Sequence, residues 1–71
     1  MLDSMPRVSA DNLRRLRNER LLSQRELAEK ANLSPTTILK LEAGRVEESH
    51  PRTVRKLVRA LGVEPPELLQ E

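Results

Sequence analysis

The chain has 71 residues, room for a single domain with a thin core, since a domain of this size buries only about 60% of the surface that its unfolded chain exposes. Phe, Tyr, Trp and Cys are all absent, so the core is built from Leu, Ile, Val and Ala, and disulfides and thiolate metal sites are excluded. Charged residues make up 34% of the chain with both signs interspersed, and the net charge of +2 is only a mild basic bias, weak evidence by itself for a polyanionic partner. No signal-peptide pattern appears and no apolar run approaches about 18 residues, which predicts a soluble, cytoplasmic domain.

Residues 1–8 are mixed, contain Pro6 and have no periodicity, and read as a flexible N-terminal arm ahead of a domain over 9–71. A first helix is expected from Ser9 or Ala10 to Arg20, with Leu13, Leu16, Arg17 and Arg20 on one face. Two arginines on an otherwise apolar stripe are unusual, and a half-buried cation there requires a carboxylate partner. A second helix starts behind Ser23, where Ser23-Gln24-Arg25-Glu26 fits a capping box, and buries Leu27, Ala28 and Ala31. After a turn of about three residues, in which Asn32 tolerates positive φ, Ser34 caps a third helix with Pro35 at its first position. This helix is expected to reach Ala43 and stop at Gly44. A loop over 45–50 leads to a fourth helix from Pro51 to Gly62, burying Val54, Leu57, Val58 and Leu61. Glu64-Pro65-Pro66-Glu67 then opens a short fifth helix carrying Leu68 and Leu69. No strand pattern appears, so the fold class is all-α, a compact bundle of four to five helices.

Two short helices joined by a tight turn, with a small residue (Ala28) at their crossing, form a helix-turn-helix over about 23–43. At roughly 100° per residue, Ile38 and Leu41 point inward while Pro35, Thr36, Thr37 and Lys40 fall on the far side of the third helix. That short-chained, polar face fits a major groove about 12 Å wide, where Thr offers a hydroxyl and a methyl and Lys a donor. The N-terminus of the second helix offers free N–H groups to a phosphate beside Ser23 and Gln24, and the Gln24 amide is within reach of a base.

The stretch SQRELAEKANLSPTTILKLEAG resembles the helix-turn-helix of phage repressors and Cro-like (XRE-type) bacterial regulators. The resemblance extends to LRRLRNERLLSQ before it and HPRTVRKLVRALGVEPPELL after it, roughly residues 9–70. Gln24, Glu26, Leu27, Ala28, Ile38, Leu41, Glu42 and Gly44 carry it at fixed spacing. It implies a lambda-repressor-like domain that binds double-stranded DNA and regulates transcription from the nucleoid. By the same resemblance Gln24, Pro35, Thr36, Thr37 and Lys40 contact bases, Ser23, Arg45 and Arg52 contact phosphates, and Arg17 pairs with Glu42 to tie the first helix to the third. The family usually has Gly where this chain has Leu21 and Asn32, so the first turn is expected to differ in shape. The loop after Gly44 also carries Glu47 and Glu48, where cations commonly face phosphate.

One helix-turn-helix reads only a few base pairs, so a homodimer on half-sites about 34 Å apart is expected. It would pair through the fourth and fifth helices, with Val63, Leu68 and Leu69 as the apolar surface. The alternative function is a protein-interaction module, an antitoxin or coactivator component whose helix-turn-helix is partly structural; Glu47, Glu48 and the modest charge favour it slightly. RNA or single-strand binding leans on aromatic stacking, which this chain lacks. With a lone His50 and no nucleophile–base pair, neither an enzyme nor a metal site is expected, and no cofactor, small-molecule ligand or membrane partner is called for.

Overall fold

The structure is a computed structural model, and it describes residues 7–46 and 49–69. Among the described residues five helices follow in order: α1 (Ala10–Glu19), α2 (Gln24–Ala31), α3 (Pro35–Glu42), α4 (Pro51–Leu61) and α5 (Pro65–Leu68). The fold is all-α. The expected loop acids Glu47 and Glu48 lie outside the described residues.

Each of α1 to α4 begins where a side chain accepts from a free N-terminal amide. Ser9 accepts from the Asn12 N–H, and Ser34 accepts from the Thr37 N–H at 3.1 Å. Ser23 and Glu26 form the reciprocal capping box, with Glu26 N–H on Ser23 Oγ at 3.0 Å and Ser23 N–H on Glu26 Oε1 at 2.8 Å. α4 is capped by His50, whose Nδ1 accepts from the Arg52 N–H at 3.1 Å. The aceptor nitrogen of an imidazole serves there as a hydroxyl does elsewhere. At α5 the Glu67 carboxylate accepts from the Glu64 N–H at 3.1 Å, and Pro stands in the first turn of α3, α4 and α5. Gly62 closes α4 at φ +70°, a left-handed conformation that glycine adopts without a Cβ clash.

The core is aliphatic. Leu13 from α1, Leu27 from α2, Ile38 from α3, Leu57 from α4 and Leu68 from α5 are its fully buried centre, one from each helix. α2 packs on α3 and α4, α1 packs on α3 and α5, and α4 packs on α5. Ala28 is fully buried, and its small side chain suits the close approach of a neighbouring helix. Val58, expected in the core, is only half-buried and packs against its edge.

The sequence reading of 1–8 as a loose arm does not extend to Val8; residues 1–6 lie outside the described residues. Val8 is buried in the core and forms an antiparallel bridge with Leu69, and the Ser9 N–H donates to the Leu68 carbonyl at 3.0 Å. A β-branched residue paired in extended backbone thus closes the two ends of the domain against each other. The same closure buries Leu68 completely, which removes it from any intermolecular surface and leaves half-buried Val63 and Leu69.

Candidate nucleic-acid interface

The turn between α2 and α3 sets the angle at which α3 leaves the body of the domain. Asn32 takes φ +58° there, and its side chain makes that left-handed conformation more tolerable than for most residues. The Leu33 N–H returns to the Ala28 carbonyl at 2.8 Å, which holds the turn against the end of α2. From α4, Lys56 Nζ reaches the Asn32 carbonyl at 3.4 Å and adds a tether from a third helix.

α3 has eight residues and a length of about 12 Å at the helical rise. Its inner face buries Ile38, Leu41 and Glu42, while Pro35, Thr36, Lys40 and Ala43 at its end are exposed. Thr37 differs from the sequence reading. It is half-buried, and its hydroxyl stands 3.0 Å from Ser34 Oγ, so it faces the start of its own helix as much as the open side.

Glu42 is a carboxylate almost closed off from solvent, with 5% of its side chain exposed. Arg17 meets it with two parallel hydrogen bonds, Nε to Oε2 at 2.5 Å and Nη2 to Oε1 at 3.0 Å. The remaining Arg17 nitrogen, Nη1, donates to the Leu22 carbonyl at 2.7 Å, so one guanidinium ties α1, the first turn and α3 together. Burial pushes the Glu42 carboxyl up, but the hydrogen bonds from Arg17 and Gln24, with the charges of Arg17 and Arg14, together outweigh it and hold the group below the usual carboxylate range. Arg17 is raised in turn, chiefly by its hydrogen bond to Glu42.

Gln24 belongs to the same network. Its Nε2 donates to Glu42 Oε1 at 3.1 Å. The Gln24 side chain, assigned to base contact by resemblance, is therefore half-buried and oriented by α3, with its amide oxygen as the atom not used in that bond. Arg14 adds a bond from Nη2 to the Glu42 carbonyl at 3.4 Å, which satisfies the end of α3. Arg14, Arg17, Gln24, Leu39, Glu42 and Ala43 line a shallow hollow of about 300 Å³ beside the outer face of α3.

The residues assigned to phosphates are spread around this face. Ser23 is exposed at the N-terminus of α2, where its oxygen accepts from the chain and its hydroxyl hydrogen remains able to donate outward. Arg45 is exposed just beyond α3, and Arg52 is exposed in the first turn of α4. Arg20, the second arginine of the α1 stripe, has a different role, which sequence spacing does not reveal. Its Nε donates to the Leu61 carbonyl at 2.5 Å and its Nη1 to the Leu16 carbonyl at 3.0 Å, so it joins the ends of α1 and α4.

This arrangement, a short helix held across a second helix by a left-handed turn, with a polar outer face and a buried ion pair behind it, defines a helix-turn-helix domain. The sequence pattern of the helix-turn-helix family matches residues 13–68, and the chain belongs to that family of DNA-binding transcriptional regulators. Among solved structures, the restriction-modification controller protein C.AhdI from Aeromonas hydrophila is similar over 82% of this chain and 86% of its own, at 34% identity and a TM-score of 0.76. A hypothetical transcription factor, NHTF, from Neisseria is 33% identical over 86% of this chain and 69% of its own, with a TM-score of 0.77. SinR, a master regulator for biofilm formation solved in complex with DNA, shares the fold at a TM-score of 0.80 and 22% identity, over 83% of this chain and 97% of its own. No curated protein matches the chain in sequence. Among the described residues, no helix is long and apolar enough to cross a membrane.

Proposed function

We propose that this domain reads duplex DNA in the cytoplasm with α3 in the major groove, as a homodimer on inverted half-sites. The observation that carries this reading is the division of α3. One face is locked to α1 and α2 through Glu42, while Pro35, Thr36 and Lys40 stand exposed on the other. Exposed Thr and Lys groups on a rigid helix are donors at fixed positions, which base readout requires. Gln24 joins them from the side, with its amide oxygen available to an adenine N6 amino group. Thr37 contributes through its methyl group and through a hydroxyl shared with Ser34. Ser23, Arg45 and Arg52 border this face and would hold the phosphates that fix register. The two relatives above 30% identity, a controller protein and a transcription factor by name, support the regulatory role. Dimerisation through α4 and α5 would rest on Val63 and Leu69.

The test is selection from a randomised duplex library, with sequencing of the bound fraction. Two enriched inverted half-sites about 10 base pairs apart are expected. An unenriched pool would mean that the domain does not read sequence, and would shift the search to a protein partner. On the selected duplex, log K should fall with log[salt] at a slope of about −0.9 per phosphate contacted.

A further inference from the structure

Two large apolar side chains are exposed among the described residues, Leu21 at 89% and Leu39 at 54%. An exposed leucine is ordinary by itself. Leu21 sits in the turn after α1, outside α3. Leu39 sits on α3, between the helical neighbours Thr36 and Ala43, and forms part of the wall of the hollow that Gln24 also lines. It therefore flanks the face proposed to enter the groove, on the side from which Gln24 approaches.

A leucine side chain has neither donor nor acceptor, so it cannot read the hydrogen-bonding edge of a base. The apolar feature of the major groove is the C5 methyl group of thymine. Leu39 is the large apolar side chain exposed on α3, and its burial against that methyl gains free energy by removing apolar surface from water. Exposed Ala43 extends the same apolar strip by one side chain toward the end of the helix.

We propose that Leu39 is a specificity-determining residue that selects thymine by packing on its C5 methyl group, an inference that rests on α3 occupying the major groove. The experiment uses the duplex recovered by library selection. Each thymine of the half-site is replaced in turn by deoxyuridine, which removes one methyl and leaves base pairing unchanged, and binding is measured for the native chain and for Leu39→Ala. At one position the native chain should lose about fourfold in affinity, the effect of one buried methyl group. Leu39→Ala should lose a similar amount on the thymine duplex and nothing further on the deoxyuridine duplex. Its thermal melting, followed by circular dichroism, should match that of the native chain, because the side chain is not in the core.

Uracil losses that are the same in both proteins at every position overturn the role of Leu39 and leave groove reading by α3 intact. A half-site without thymine does the same. An unenriched library overturns both together.

Discussion

The two faces of α3 are eight residues of one helix under opposite constraints. The inner face buries Ile38, Leu41 and Glu42, and each polar atom of the Glu42 carboxylate is met by Arg17, with Gln24 sharing one oxygen. The outer face carries Pro35, Thr36 and Lys40 in solvent. Inner positions hold the helix in place and outer positions are left for a partner. Substitutions should therefore separate: inner ones move stability, and outer ones move binding with stability unchanged.

The largest effect is expected from Glu42→Ala. It leaves the Arg17 guanidinium, only 13% exposed, without its carboxylate. Breaking a buried pair by removing one member typically costs about 3–5 kcal/mol. A 71-residue domain has total stability of about 4–11 kcal/mol, so much of the folded population is at risk. Urea unfolding gives the measurement, and a midpoint equal to that of the native chain would sink the assigned role of the pair.

A smaller effect of the same pair appears with pH. The folded Glu42 carboxyl lies below its ordinary value, so its contribution is complete above the unfolded-state pKa and is lost as pH falls through that value and then through the folded one. Stability of the native chain should thus decline on the acid side of the usual carboxylate range. Glu42→Gln, which cannot ionise, should be less stable at neutral pH and show a shallower decline. Parallel acid limbs for the two proteins would assign the acid sensitivity to other carboxylates.

On the outer face, Lys40→Ala should weaken binding to the selected duplex by about 1–3 kcal/mol if Lys40 reads a base, with an unchanged melting temperature. Equal losses on selected and random duplex would make it a phosphate contact instead. Should Lys40→Ala lower the melting temperature as much as it lowers affinity, the separation of the two faces would not hold.

How far sequence reaches follows the same division between local and distant causes. Ser23, Ser34, Pro35, Asn32 and Gly62 were legible because a cap or a left-handed turn is a contract among residues within four positions of each other. The destinations of long polar side chains were not. Arg20 ends on Leu61, Lys56 on Asn32 and Gln24 on Glu42, across separations of 41, 24 and 18 residues. Those endpoints depend on how helices approach one another, and hydrophobic period alone leaves that open. His50 as a cap and Val8 as a core residue were missed for related reasons. Imidazole is an uncommon cap, and a single paired residue has no periodicity to detect. At the candidate site, residue types marked the outer face of α3, but only the approach of α2 shows that the Gln24 amide is already oriented by Glu42.

The smallest expected effect lies outside both faces, in the turn between α1 and α2. The departure of Leu21 from glycine suggested a turn of different shape, yet Leu21 takes φ +56°. The left-handed conformation is kept by a residue with a γ-branched side chain that is 89% exposed and has almost no packing to offset the strain. Placing a non-glycine residue in this region costs about 1–2 kcal/mol. Leu21→Gly should relieve that strain, but it also loosens the unfolded chain, which takes back about 0.4–1 kcal/mol. The net gain should be about 0.5 kcal/mol, a rise of roughly 2–4 °C in melting temperature for a domain of this size. Affinity for the selected duplex should not change, because Arg17 grips the backbone carbonyl of Leu22 rather than the side chain of Leu21. A fall in melting temperature would show that the exposed leucine packs on something in solution, and a loss of affinity with unchanged melting would place that contact on the DNA.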